Sequence, residues 1–136
     1  MGGSHMNEHE QIHFTTRVLG PAAAFRLERG RISSIAVTQT LRSESSSITN
    51  AILLGRVSAG DRLEVLLDSR LVGNVELVSM EVVTWEALGV DDAQRGGFDT
   101  LADLEQALKR AGYRFKPLNE YELYRIQFTW LEEAYA

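Results

Sequence analysis

The sequence predicts an α+β fold, a small mixed β-barrel of about five to six strands flanked by two or three helices. Three observations lead there. Between Gly60 and Val83, Leu63, Val65 and Leu67 alternate with Arg62, Glu64 and Leu66, the two-residue period of a strand with one buried face. After a turn at Asp68-Ser69-Arg70 the chain returns with Val75 and Leu77 on one parity and Val78, Met80 and Val82 on the other. The buried face therefore switches near Val78, as it does where a strand bulges and coils around a small barrel. Finally, the periodicities run strand, helix, several strands, helix, strand, an order that packs helices against one curled sheet.

Taken in order, Gln11 to Leu19 reads as a first strand, with Ile12, Phe14 and Val18 on one side, and Gly20-Pro21 stops it. Pro21 suits the first position of a short helix through Ala22-Ala23-Ala24-Phe25-Arg26-Leu27-Glu28, which Gly30 can end. Ile32 to Thr40, rich in Ile, Val, Thr and Ser, reads as a strand. Ser43 to Asn50 reads as an exposed polar loop, and Ala51 to Leu54 leads into the central hairpin. Thr84 can cap a short turn at Trp85, and Asp91 to Arg95 forms another helical piece before Gly96-Gly97. Thr100 and Asp103 have the form of a capping box, and Leu101, Leu104, Leu108 and Ala111 make a helical stripe closed by Gly112. The closing strand, Tyr121 to Leu131, places Tyr124, Ile126, Phe128 and Trp130 on one face and Leu123, Arg125, Gln127 and Thr129 on the other.

At 136 residues, 44% apolar and 24% charged, the chain suffices for one globular domain with a core. We read residues 7–136 as that domain and Met1-Gly2-Gly3-Ser4-His5-Met6 as an expression-tag remnant. No apolar run approaches the ~20 residues of a bilayer span, and no signal-peptide pattern is visible, so a cytoplasmic protein away from the membrane is expected. The chain has no cysteine, which removes thiolate chemistry, disulfides and cysteine-ligated zinc. Its three histidines, His5, His9 and His13, all lie near the N-terminus, leaving no imidazole beyond Phe14 for a triad or a metal site. No metal and no cofactor are expected.

The net charge of −5 argues against coating nucleic acid by bulk attraction. The mean hides a gradient: Arg17 to Arg70 carries +3 and Leu71 to Ala136 carries −6. One half can meet phosphate while the other repels it.

From Arg56 onward the chain resembles the ASCH family of PUA-like domains, small β-barrels associated with RNA. The features that carry the resemblance are GRVSAGDRLEV, then LVGNVELVSMEVVTW, then DDAQRGGFDTLADLEQALKRAGY, and last YRIQFTWL, in that order over roughly the final 80 residues. The resemblance implies a functional segment just after the first helix, here Glu28-Arg29-Gly30-Arg31 continuing to Thr38-Gln39-Thr40-Leu41-Arg42. Some relatives are amidohydrolases of acylated nucleosides that use a lysine, a threonine and a glutamate. Here Lys109 and Lys116, the only lysines, lie outside the segment, and Arg31 takes the basic position. A permanently protonated guanidinium is a poor base or nucleophile.

The expectation is therefore an RNA- or nucleotide-binding module with an arginine-lined cleft. Arg29, Arg31 and Arg42 would engage phosphate, and Thr38 and Thr40 would donate hydrogen bonds. Two alternatives stand beside it. A hydrolase of modified nucleosides would use Thr40 with Glu76 or Glu81 as general base. A protein-interaction module would use Trp85 and Trp130 as anchors, although aromatic residues at such positions are more often core.

Overall fold

A computed structural model describes residues 10–29, 36–114 and 122–131. Five strands, β1 (Gln11–Phe14), β2 (Gln39–Arg42), β3 (Arg62–Leu67), β4 (Arg70–Thr84) and β5 (Glu122–Trp130), form one mixed sheet in the order β1-β3-β4-β5-β2. β1 runs parallel to β3, and every other pair is antiparallel. The sheet curls into a half-barrel whose end strands, β1 and β2, are not hydrogen-bonded to each other as a ladder. Arg42 bridges them: its Nη2 donates to the His13 carbonyl at 2.8 Å.

The alternation read from the hairpin holds, since Leu63, Val65 and Leu67 are fully buried while their neighbours face outward. In β4 the register shifts as the parity change suggested: Leu77 opposes Phe128 and Ser79 opposes Gln127, with Val78 as the extra residue. The face expected to be buried beyond it is not: Val78 and Val82 are 48% and 50% exposed, and Val83 is buried instead. Before the shift, Val75 and Leu77 enter a first core with Ile12, Phe14, Ile126 and Phe128, covered by Leu27 of α2 (Pro21–Glu28) and Ile48 of α3 (Ser47–Leu53). Beyond it, Val83 joins Leu41 and Leu123 in a second core on the opposite face. Trp85, in a 3-10 turn, closes that core with Ala93 of α4 (Val90–Arg95) and Leu104 and Leu108 of α5 (Leu101–Arg110). The bulge lets one long strand serve two cores. Leu123, opposite in parity to Ile126 and Phe128 along the unbroken β5, faces the second core by simple alternation, and the bulge in β4 brings Val83 opposite it.

Three sequence expectations are corrected. The first strand stops at Phe14, and Thr16–Leu19 forms a short helix, α1, because Asp68 captures its start. The Asp68 carboxylate accepts from the Thr16 amide at 2.9 Å and the Thr16 hydroxyl at 2.6 Å, and these bonds hold its pKa below the ordinary value. Asp68 and Ser69 form the two-residue turn of the β3–β4 hairpin with φ of 51° and 69°, the signature of a type I′ turn, which aspartate tolerates better than most residues. Second, Ser47 to Asn50 is helical rather than loop, because α3 buries Ile48, Thr49 and Ala51. Third, the strand expected over Ile32 to Thr40 begins only at Gln39 and continues to Arg42; Gly30 to Ile35 lie outside the described residues. At Thr38 the backbone leaves the ladder to donate to the Arg95 carbonyl at 2.8 Å. Among the described residues five short helices flank the sheet, where two or three were expected.

Gly97 links α4 to α5 with φ of +94°, and a Cβ there would meet Val37 Cγ2 at 2.9 Å. Its carbonyl also accepts from Arg26 Nη1 at 2.9 Å. Gly97→Ala combines a disfavoured backbone conformation with a steric clash, and is expected to cost about 2 kcal/mol in urea denaturation. The same change at Gly60, where φ is +94° but nothing lies within 4 Å, should cost less.

Candidate functional site

A cleft of about 260 Å³ lies between the end of β1 with α1, the strand β2, and the faces of α4 and α5. Gln39, Thr40, Leu41 and Arg42 all line it. Side chains of successive strand residues point to opposite faces, so four in a row can border one cleft only if it lies along the free edge of β2. The deeper wall is apolar, with Leu41, Phe98, Leu104, Ala107 and Leu108, and the rim is polar, with His13, Arg17, Arg42 and Tyr113.

Arg42 dominates the rim. Its guanidinium carbon sits 4.8 Å from the centroid of the Phe14 ring, Nε donates to Thr40 Oγ1 at 2.9 Å, and Nη2 holds the His13 carbonyl. Burial lowers its pKa from the ordinary value, yet an arginine so placed remains a cation. Among the described residues no carboxylate lies within ion-pair distance of it. Arg17 is exposed at the same rim, and the Tyr113 hydroxyl accepts from the Ser43 amide at 3.2 Å.

The acidic residue in the lining, Asp92, is already fully engaged. Its Oδ1 accepts from Gln39 Nε2 at 2.8 Å and Arg125 Nε at 2.8 Å. Its Oδ2 accepts from Arg125 Nη2 at 3.0 Å and the Gly89 amide at 3.0 Å. Burial opposes the charge, but these bonds outweigh it and hold the carboxyl below its usual range. Four donors fill the acceptor sites of a carboxylate, so Asp92 has no vacancy for the work of a general base. The network continues: Gln39 Oε1 accepts from Gln127 Nε2 at 3.0 Å, Gln127 Oε1 accepts from Ser79 at 3.2 Å, and Arg125 also pairs with Glu81.

The structure brings together only part of the residue set named from the sequence. Thr40 and Arg42 line the cleft. Thr38 does not, being held by Arg95 on its amide and by Phe128 on its carbonyl. Arg29 stays on its own helix, its guanidinium 4.7 Å from the ring of Phe25 four residues earlier. Arg31 lies outside the described residues. Glu76 is exposed on the hairpin opposite Arg62, and Glu81 is committed to Arg125, so neither carboxylate meets Thr40 in the cleft. Trp85 is buried in the second core, and the Trp130 indole donates to the Val37 carbonyl at 2.6 Å. Among the described residues no group of three or more His, Asp or Glu side chains could hold a metal, and no helix is long and apolar enough to cross a membrane.

Sequence reasoning missed Arg17, Tyr113 and the network around Asp92. Arg17 and Tyr113 reach the rim only through α1 and the end of α5. For the network one signal was present: Gln39 interrupts an apolar parity between Val37 and Leu41, and buried polar residues in strands need partners.

No family model and no curated protein matches the sequence. Solved structures do match the fold. An ASCH domain from Lactobacillus crispatus superposes with a TM-score of 0.55 at 15% identity, over 87% of this chain and 79% of its own. A protein from Enterococcus faecalis carrying the family designation DUF984 superposes with a TM-score of 0.58 at 15% identity, over 96% of this chain and 86% of its own. The α+β architecture is an ASCH-like fold.

Proposed function

We propose that the cleft along β2 binds a phosphate-bearing ligand, the end of a single-stranded RNA or a nucleotide-like small molecule, with Arg42 as its anchor and Arg17 as a second cation. One observation carries this reading. Arg42 is a partly buried guanidinium that stacks on Phe14 at the mouth of a cleft and has no carboxylate partner among the described residues. Desolvating a cation without pairing it is costly, and the cost is recovered when an anion enters. Its planar fork can meet two phosphate oxygens while Thr40 steadies the other side. The ASCH-like fold supports the choice of ligand, since the resembling family is associated with RNA. The cysteine-free composition suits a cytoplasmic setting. The small volume and the acidic C-terminal half favour a short end over a long duplex.

A titration of labelled short single-stranded RNA and of nucleoside 5′-monophosphates tests the proposal. Saturable binding is expected, weakening with added salt, and Arg42→Ala should reduce affinity about ten- to a hundredfold, the value of one charge-assisted contact to phosphate. Arg29→Ala, on a helix outside the lining, should leave it unchanged. Absence of saturable binding, or equal effects of the two substitutions, would remove the reading.

A further inference from the structure

The free edge of β2 carries main-chain groups that meet no partner among the described residues. Thr38 opposes Phe128, and the Phe128 amide donates to the Thr38 carbonyl at 3.0 Å, which marks that position as a hydrogen-bonded pair. In an antiparallel ladder such pairs alternate with non-bonded ones. Thr40 with Ile126 and Arg42 with Tyr124 are therefore bonded, whereas the N–H and C=O groups of Gln39 and Leu41 point away from β5. They point to the free edge, where the cleft lies. Among the described residues no hydrogen bond to these four groups is found, although Gln39 is 1% exposed and Leu41 7%. Buried peptide groups without partners are rare in folded proteins.

The neighbouring side chains sharpen the contrast. Gln39 spends its amide on Asp92 and Gln127, and Asp92 has all its acceptor sites filled. Along this wall the polar capacity left for a ligand is in the backbone.

We infer that the β2 edge reads a nucleobase through the main chain, with the N–H and C=O of Gln39 or Leu41 meeting an adjacent acceptor and donor on the base, while Arg42 holds the phosphate. This rests on the phosphate-anchor reading above. Every nucleobase carries a neighbouring donor and acceptor on its pairing edge, and a strand residue presents its own N–H and C=O to the same side, so the two match as a pair. The apolar wall of Leu104 and Leu108 suits the flat faces of a base. An added peptide strand would meet the same groups, but it needs an open groove, and the Arg42 bridge to His13 closes this one at the end of β2.

Amide hydrogen exchange followed by NMR on the intact chain tests this, with the 5′-monophosphates of adenosine, guanosine, cytidine and uridine and with ribose 5-phosphate as probes. In the free protein the amides of Gln39 and Leu41 should exchange faster than those of Thr40 and Arg42. At saturation with at least one of the nucleotides they should slow about tenfold or more, as expected for a hydrogen bond gained at an open edge. Ribose 5-phosphate should perturb the Arg42 region without slowing them. If nucleotides bind in an Arg42-dependent way and both amides keep their free rates, base reading by the edge is overturned while the phosphate anchor stands. If none of the probes binds, both fall. Protection by ribose 5-phosphate equal to that by the nucleotides also overturns it, since closure of the cleft alone would then account for the effect.

Discussion

Asp92→Ala is expected to lower the stability of the fold by about 3 kcal/mol, because it strands a partly buried guanidinium and two further donors at once. The carboxylate is 4% exposed and accepts from Gln39, Gly89 and twice from Arg125. Removing it leaves Arg125 with Glu81 at the more exposed end, and takes from the Gln39 amide and the Gly89 N–H the acceptor they share. Urea denaturation at neutral pH measures the loss. Replacing Arg125 by methionine in the same chain should return part of it, since the uncompensated charge goes as well. The loss also has a pH signature. The folded-state pKa of Asp92 lies below its unfolded value, so the contribution is fully present above that unfolded value, about 4, and disappears as pH falls through the folded pKa. Asp92→Asn should therefore unfold in acid with a shallower pH dependence than the parent chain. Parallel curves would show that the carboxylate is not held as its four donors indicate.

The same residue marks the limit of what the sequence discloses. Period-two alternation identifies Leu63, Val65 and Leu67 as buried, and the parity change at Val78 locates a bulge though not the residues buried beyond it, because the first two signals are local and the last depends on the second core. The Leu104 and Leu108 stripe is local too. The start of α1 is not, for it depends on Asp68, which lies 52 residues from Thr16. Nor is the helical state of Ser47 to Leu53, a serine-rich start whose helix forms because Ile48 and Ala51 find the first core. The candidate site divides in the same way. Arg42 and Thr40 stand two apart on one parity of a short strand and could be named from it. Asp92 meets Arg125, 33 residues away, and Gln39, 53 away, and no short-range pattern links them. Arg29 illustrates the opposite error: nearness in sequence to the functional segment placed it in the set, but its own helix neighbour Phe25 holds it elsewhere.

Phe128→Ala should cost about 3–5 kcal/mol, the range for deleting a buried aromatic side chain, and should spare the cleft. Phe128 is 2% exposed, opposes Leu77 where β4 changes register, and meets the Trp130 ring edge-on at 6.0 Å and 84°. Its loss opens a cavity that the curled sheet cannot readily collapse, since Val75, Leu77 and Ile126 are fixed by the ladders on either side. Phe128 does not line the cleft, which lies along the free edge of β2 between β1 with α1 and the second-core helices; of the first core, Phe14 is the buried residue that borders it. Two readouts then separate. Urea denaturation should show the large loss, and the emission of Trp130 should shift to the red as its apolar neighbour disappears. Under conditions where the variant is still folded, nucleotide affinity should stay within about twofold of the parent, in contrast to the ten- to hundredfold loss expected for Arg42→Ala. A variant that lost both together would mean that the first core and the β2 edge form a single cooperative unit, and that the bulge at Val78 does not separate them energetically.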